Sequence, residues 1–172
     1  VKLRPLEKDD LKWILRYRNN PIFYVNFNQP MPLSYDQQLA WYESEVLTKK
    51  AFPYLIVLNN IDIGYIAIQN VNWINRSAEI SHFVIEDYNS DFIIYAHKIM
   101  LDLCFNGLNL NRIYSSCFSF NPIYKELEYL GFKIEGTARQ SCYKSGKYYD
   151  SYLIAVLKDE LKVYDTNKRV AS

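Results

Sequence analysis

Glycines, cysteines and histidines are the residues whose spacing most readily reveals phosphate binding, metal ligation or thiol chemistry. The chain has only five glycines, and they are too far apart for a Walker-type loop or a GxGxxG turn, which bring clustered backbone amides onto phosphate. The three cysteines are odd in number and widely spaced, and neither they nor the two histidines form a metal-ligand pattern. We therefore expect reduced thiols, no disulfide frame, no metal ion and neither of those nucleotide loops.

The charge balance of the chain limits its partners. Its 20 basic and 19 acidic side chains nearly cancel, which argues against a nucleic-acid groove or a polybasic membrane contact. No apolar run approaches the roughly 18 residues of a membrane-spanning helix, and the first residues lack the apolar core of a secretion signal. We expect a cytoplasmic protein with no nucleic-acid partner and no membrane partner.

Helix-like and strand-like patterns alternate from residue 1 to about 158, which predicts a single α/β domain followed by a charged tail at 159–172. The first helix places Arg18 in line with the apolar stripe that contains Ile14, and the second helix begins with a capping box at Ser34. The elements between and after these helices complete the expected domain.

The remaining elements are predicted from periodicity and turn residues. Further helices are expected at about 92–105 and 121–131, and the aromatic segment 21–33 is predicted to be a loop. Strands are expected at about residues 1–6, 54–58, 63–71, 78–85, 112–118, 132–142 and 148–157.

Four segments carry a resemblance to a known family: residues 3–11 (LRPLEKDDL), 75–80 (NRSAEI), 130–136 (LGFKIEG) and 146–150 (GKYYD). With the order of elements, they resemble the GNAT N-acyltransferase superfamily over residues 1 to about 158. The two C-terminal segments are typical of its ribosomal-protein, spermidine and sugar-nucleotide N-acetyltransferases, and residues 16–19 and 38–42 are most similar to the sugar-nucleotide members. The resemblance implies an α/β (α+β) fold with a mixed, mostly antiparallel central sheet of about seven strands and about four flanking helices.

By that resemblance, acetyl-coenzyme A binds in a V-shaped gap beside the central strand, where its pantetheine pairs with strand backbone and its pyrophosphate meets the next helix. The segment 88–94 at this helix has no glycine and no basic residue, and Asp91 would repel phosphate. Two alternatives therefore stay open: a GNAT-fold binding or assembly module without catalysis, and an enzyme with a different acyl donor. The predicted cofactor-binding residues are Phe83, Val84, Ile85, Ser90, Asp91, Phe92 and Asn121.

The resemblance also supplies catalytic positions. Glu79 on the central strand matches a carboxylate that takes the proton of the attacking amine, and the alternative is a strand residue paired with Arg or Lys. The acid that protonates the leaving thiolate is usually a tyrosine, at the position of Leu127 here. Tyr124 is the displaced candidate, and the alternative is an aromatic residue packed on the core. His82, opposite to Glu79 on the strand, and His97 are expected to be core residues.

In relatives the acceptor site lies under the aromatic loop and beside the last hairpin. We expect Phe23, Tyr24 and Phe27 of the loop and Tyr148 of the hairpin to contact the acceptor, with loop anchoring or a dimer contact as the alternative. The predicted function is direct transfer of an acetyl group from acetyl-coenzyme A to a primary amine of a small acceptor. An amino-sugar nucleotide is favoured over a polyamine, because the sequence has no acidic patches, and over a peptide N-terminus. Relatives also imply a homodimer.

Overall fold

One sheet of seven strands forms the centre of the domain. The computed structural model describes residues 1–27, 29, 31–84 and 90–162, with Val84 and Ser90 as backbone only. Within them the strands are β1 (Lys2–Pro5), β2 (Ala51–Leu58), β3 (Ile61–Asn72), β4 (Ser77–Val84), β5 (Arg112–Phe118), β6 (Lys133–Lys144) and β7 (Lys147–Leu157). Their order in the sheet is β1-β2-β3-β4-β5-β7-β6, and β4 and β5 are its single parallel pair. The mixed, mostly antiparallel sheet expected from the sequence is confirmed.

Five helices accompany the sheet in the described part of the chain: α1 (Leu11–Arg18), α2 (Pro21–Tyr24), α3 (Tyr35–Trp41), α4 (Ser90–Asp102) and α5 (Ile123–Glu128). Helices α3 and α4 continue into π-helical turns at Tyr42–Val46 and Leu103–Gly107. Helix α2 falls where the sequence predicts a loop. The side chain of Asn20 accepts the N–H of Ile22 at 3.0 Å and Pro21 takes the first position, so local capping produces a short helical turn there.

The sheet separates two apolar clusters. Side chains such as Ile66, Ile80 and Met100 pack between the sheet and helices α4 and α5. On the other face, Leu11 and Ile14 of α1 pack with side chains of α3 and β2. The central strands are therefore buried on both faces, since successive residues of a strand point to opposite faces.

The register between β3 and β4 fixes which side chains share a face. Gln69 pairs with Glu79, and Tyr65 pairs with Phe83. Directly opposed residues lie on the same face, so Glu79 and Phe83 face the side of α1, and His82 faces α4. The predicted alternation along β4 is therefore correct.

Two arginines from the family-like segments hold the sheet in place. Arg4 of β1 donates hydrogen bonds to the carboxylates of Asp10 and Asp62 at 2.7 to 3.1 Å, and this guanidinium lowers the pKa of Asp10. Arg76, in the turn before β4, donates from Nε to the carbonyl of Asn109 at 2.7 Å and from a terminal nitrogen to its amide oxygen. The two hydrogen bonds of Arg76 tie the start of β4 to the segment that leads into β5.

The start of the predicted tail is packed against the domain. Gly131 has a φ of +103°, and a Cβ at this position would lie 2.2 Å from the carbonyl oxygen of Glu160. Lys162 donates its backbone N–H to the carbonyl of Leu130 at 3.1 Å. The ordered contacts therefore extend to Lys162, and residues 163–172 lie outside the described residues.

Candidate active site

A cleft opens where the parallel strands β4 and β5 separate. The two strands pair over three positions, and the last pair joins Glu79 to Tyr114. Beyond it both strands continue, β4 to Val84 and β5 to Phe118, and a cavity of about 540 Å³ lies between their walls. The backbone edges of β4 and β5 next to this gap are open to a ligand that adds as an extended strand. The gap has the V shape that the resemblance implies.

Glu79 lies at the apex of the cleft, where the pairing of β4 with β5 ends. Its Oε2 accepts a hydrogen bond from the side-chain Nδ2 of Asn70 at 2.7 Å. Among the described residues Asn70 is the one hydrogen-bond partner of this carboxylate. A register shift between Gln69 and Asn72 puts Asn70 in a left-handed conformation with a φ of 52°, which turns its amide toward the carboxylate. The half-buried carboxylate keeps its other oxygen available to a substrate amine or a water.

The β5 wall of the cleft carries small polar side chains and one thiol. Ser115, Ser116 and Cys117 all line the cavity. Burial raises the pKa of the Cys117 thiol to about 11, so the thiol is protonated near pH 7. A neutral thiol is a poor nucleophile, which argues against an acyl-cysteine intermediate.

Leu127 of α5 and Asn121, which precedes this helix, both lie at the cleft. Leu127 is 2 % exposed and lines the cavity, whereas the ring of Tyr124 packs against Tyr152, with centroids 5.0 Å apart, and is not among the lining residues. Asn121 accepts the N–H of Ile123 at 3.1 Å and donates to the side-chain oxygen of Asn26 at 3.3 Å. The acid role of Tyr124 and the cofactor role of Asn121 remain predictions.

The residues predicted to bind the cofactor lie along β4 and at the start of α4. Phe83 lines the cleft, and its ring stacks on Tyr65 with centroids 5.4 Å apart. Helix α4 begins at Ser90 and carries Asp91 and Phe92 in its first turn. Ile93, one residue further, lines the cavity. Ile85 and the rest of the segment 85–89 lie outside the described residues, and of Val84 and Ser90 the backbone alone is described.

The predicted acceptor-binding residues are distributed unequally around the cleft. Phe23 and Phe27 line it, and Tyr24 does not. The ammonium group of Lys144 lies 5.1 Å from the centroid of the Tyr24 ring and donates to the carbonyl of Phe27 at 2.6 Å. Tyr148 is 64 % exposed, packs against Tyr143 across the hairpin and does not line the cavity. Lys144 is thus the hairpin residue that reaches the aromatic loop.

Arg18 and Gln38 are among the cleft residues that were not selected from the sequence. Arg18 of α1 is half-buried, lies 5.8 Å from the centroid of the Phe27 ring and donates to Oε1 of Gln38 at a long 3.4 Å. Gln38 of α3 is 1 % exposed, and its Nε2 has no hydrogen-bond partner among the described residues. The position of Arg18 in the apolar stripe of the first helix was the one sequence signal for this pair.

His82 and His97 lie together on the α4 side of the sheet. Their rings meet edge to face with centroids 4.5 Å apart. Nδ1 of His97 lies 2.9 Å from the carbonyl of Ile93, which can only accept, so Nδ1 carries the proton of the neutral ring. Burial lowers the pKa of His97 to about 4 and that of His82 well below its usual range. Both rings are neutral near pH 7. His97 is fully buried, as the sequence predicts, whereas His82 is half-buried and also lines the cleft.

The described residues provide no group of three or more His, Cys, Asp or Glu side chains that could hold a metal ion. No helix in this part of the chain is long and apolar enough to cross a membrane.

Comparison with known proteins agrees with the fold and the cleft. The family model "Acetyltransferase (GNAT) domain" matches residues 1–133. Spermidine N(1)-acetyltransferase of Escherichia coli (strain K12) is 23 % identical over 166 residues, covering 93 % of this chain and 87 % of the relative. The putative ribosomal N-acetyltransferase YdaF of Bacillus subtilis (strain 168) is 30 % identical over 99 residues, covering 56 % of this chain and 54 % of that protein.

Solved structures of N-acetyltransferases also share the fold of this chain. Spermidine N-acetyltransferase from Vibrio cholerae, in complex with CoA and spermine, superposes with a TM-score of 0.86 at 25 % identity, covering 92 % of this chain and 96 % of that one. A dodecameric structure of spermidine N-acetyltransferase from the same organism superposes with a TM-score of 0.79 at 26 % identity, covering 92 % and 94 %. Because the family model covers most of the chain and the spermidine acetyltransferases extend over nearly all of it, the protein belongs to the GNAT acetyltransferase family and is an enzyme of the N-acetyltransferase type.

Proposed function

We propose that the protein transfers the acetyl group of acetyl-coenzyme A directly to a primary amine of a small aliphatic acceptor. The observation that carries the proposal is the half-buried carboxylate of Glu79 at the point where β4 and β5 separate. A thioester whose pantetheine pairs with the open edge of β4 would bring its carbonyl carbon close to this carboxylate. The Vibrio cholerae relative was solved with CoA and spermine, which supports both the donor and an amine acceptor.

In the proposed reaction the amine nitrogen attacks the thioester carbonyl carbon. The carbon–nitrogen bond forms, the carbon–sulfur bond breaks, and coenzyme A leaves as a thiolate. Glu79 accepts the proton that the amine loses, directly or through one water, and the hydrogen bond from Asn70 holds its carboxylate in place. Tyr124 packs against Tyr152, and Leu127 faces the cleft. The coenzyme A thiolate is therefore protonated by solvent in this mechanism.

Transfer without a covalent enzyme intermediate fits the thiol in the cleft. Cys117 is the thiol among the described lining residues, and burial raises its pKa to about 11. Only a small fraction is thiolate near neutral pH, and the thiolate is the nucleophilic form. The acceptor amine is therefore the nucleophile in the proposed mechanism, and both substrates occupy the cleft together.

The relatives guide the choice of acceptor to test first. Two of those reported above are named for spermidine, and an amino-sugar nucleotide finds no support among them. A polyamine of the spermidine kind is thus the first member of the class of aliphatic primary amines to assay. The cytoplasmic location and the homodimer remain predictions.

Glu79→Gln tests the proposed base. Coenzyme A release from acetyl-coenzyme A would be followed with a thiol-reactive dye, across a panel of primary amines that includes spermidine. Because the amide cannot accept the proton, kcat for the best acceptor is expected to fall about 100-fold. Glu43→Gln, an exposed position outside the cleft lining, is the matched control and should keep wild-type rates. Equal rates in wild type and Glu79→Gln would show that Glu79 is not the base.

Calorimetric titration with acetyl-coenzyme A tests the donor independently. Micromolar binding is expected, because the cleft offers an open strand edge to the pantetheine. No binding at millimolar ligand to the folded protein would contradict the proposal and would favour another acyl donor.

A further inference from the structure

We infer that Arg18 and Gln38 form an oxyanion subsite in the cleft, so that the preferred acceptor is a primary amine that also carries a carboxylate or phosphate group. This inference rests on the proposed function, and the acceptor that it names differs from the polyamine that the relatives suggest assaying first. The two residues lie on α1 and α3, which cover the face of the sheet that also presents Glu79.

The guanidinium of Arg18 is half-buried in the cleft, and no carboxylate of the described residues forms an ion pair with it. Its described contacts are the 3.4 Å hydrogen bond to Gln38, the face of the Phe27 ring and proximity to Tyr65. Arginine stays charged at this degree of burial, because its pKa, although lowered by desolvation, starts far above neutral. A buried cation without a counter-ion is unfavourable, and a bound anion would offset that cost.

Gln38 adds a second donor without an acceptor. Its Oε1 faces Arg18, as it must, because a guanidinium only donates hydrogen bonds. Its Nε2 therefore points elsewhere, and this fully buried amide nitrogen has no partner among the described residues. Buried polar groups are almost always paired in native proteins. Both side chains line the same cavity and together offer donors alone, which is the chemistry that recognises a carboxylate or a phosphate.

The sheet register sets the distance between this subsite and the base. Arg18 lies near Tyr65, which pairs with Phe83, whereas Glu79 lies four residues before Phe83 on the same face of β4. Four residues of extended strand span roughly 13 Å, and we take roughly 10 Å as the gap between two charged groups that both reach into the cavity. An acceptor with its amine at Glu79 would thus place its anionic group roughly 10 Å away, the length of a chain of about eight carbons.

The test compares acceptors that differ only at the end distant from the amine: octylamine, 1,8-diaminooctane, 8-aminooctanoate and 8-aminooctyl phosphate, with spermidine as a further acceptor. For the wild-type enzyme, kcat/KM for the better of the two anionic amines is expected to exceed that for octylamine at least tenfold, and 1,8-diaminooctane is expected to be poorer than octylamine. The carboxylate and phosphate arms show which oxyanion fits. A shorter series, 4-aminobutyrate and 6-aminohexanoate, should show a smaller advantage.

Arg18→Gln should reduce the preference for the anionic amine over octylamine to about one, and Arg18→Lys should retain part of it because the charge remains without the planar fork. The matched control is Arg16→Gln, because Arg16 is an exposed arginine on the same helix. This variant should keep the wild-type preference. Thermal unfolding of each variant verifies that it is folded. If Arg18→Gln does not fold, a reduced preference in Arg18→Lys and in Gln38→Leu, each compared with the wild type, tests the subsite instead.

The outcomes separate the inference from the proposed function. If spermidine or 1,8-diaminooctane is acetylated more efficiently than both anionic amines, the inference is overturned and the proposed function stands. An anionic preference that survives Arg18→Gln also overturns it. If no primary amine is acetylated, the proposed function fails and the inference fails with it.

Discussion

The two faces of the central sheet are packed differently. On the face covered by α4 and α5 the side chains are mostly aliphatic and fully buried, as for Ile66, Ile80 and Met100. On the face beside the cleft, half-buried aromatic rings meet one another, as Phe83 does with Tyr65 and Phe27. Close aliphatic packing stabilises a fold, whereas a half-buried aromatic surface can accept a ligand. Substitutions on the two faces should therefore change different measured quantities.

Phe105→Ala should have the largest effect on stability. Phe105 is 1 % exposed in the α4 cluster, and alanine would leave a cavity, so the free energy of unfolding is expected to fall by about 4 kcal/mol. Urea unfolding followed by circular dichroism measures this. Phe120→Ala, at an exposed phenylalanine, is the control and should cost less than about 1 kcal/mol. Equal losses of unfolding free energy in Phe105→Ala and Phe120→Ala would contradict the idea that the α4 cluster dominates stability. If Phe105→Ala does not fold, Phe105→Leu is measured in its place.

The histidine pair makes the same face sensitive to acid. The unfolded chain protonates an imidazole below about pH 6.5, whereas burial keeps the pKa of folded His97 at about 4. Between these values the unfolded state binds the extra proton. The contribution of His97 to the free energy of unfolding is thus complete above about pH 6.5 and decreases by up to about 3 kcal/mol as the pH falls to 4.

Urea unfolding at several pH values between 7 and 4.5 measures this dependence. His97→Asn should make the curve less steep, because asparagine does not titrate; His82, whose pKa burial also lowers, still contributes, and the variant should be less stable at pH 7. Acidic residues with lowered pKa values, such as Asp10, contribute mainly below about pH 4, so they do not mask the histidine window. A wild-type curve that is level from pH 7 to 5 would contradict the buried neutral state.

Phe27→Ala on the cleft face should have the smallest effect on stability. Its half-buried ring meets Phe83 edge-on with centroids 5.8 Å apart, and its backbone carbonyl, which accepts from Lys144, is retained in the variant. We expect less than about 1 kcal/mol of lost stability and an increase of about tenfold in KM for the acceptor. Steady-state kinetics and urea unfolding of the same preparation measure both. A stability loss equal to that of Phe105→Ala would remove the distinction between the faces.

Features that depend on near neighbours in sequence could be predicted. Alternation along the strand placed Glu79 and His82 on opposite faces, and the pairing of β3 with β4 confirms this. The capping box of Ser34 with Gln37 is present in α3. In each case the determining residues lie within a few positions of one another, so a single sequence displays them.

Features that depend on distant segments could not be predicted. Arg18 and Gln38 lie on separate helices that meet only in the folded domain, although a charged residue in an apolar stripe was a signal. Lys144 bonds to a carbonyl 117 residues earlier, a contact that no local pattern indicates. Tyr148, expected at the acceptor, lies outside the cleft lining because the hairpin register pairs it with Tyr143.

The pair of hydrogen bonds from Arg76 to Asn109 makes the enzyme suitable for redesign. It holds the start of β4 against the segment leading into β5, and so helps to fix the position at which the two strands part. A slip of one residue would turn Glu79 to the opposite face of the sheet. The proposed base is thus anchored to the sheet, while Arg18 and Gln38 belong to helices laid over it. Exchanging side chains on those helices can retarget the enzyme to new acceptors without displacing the base.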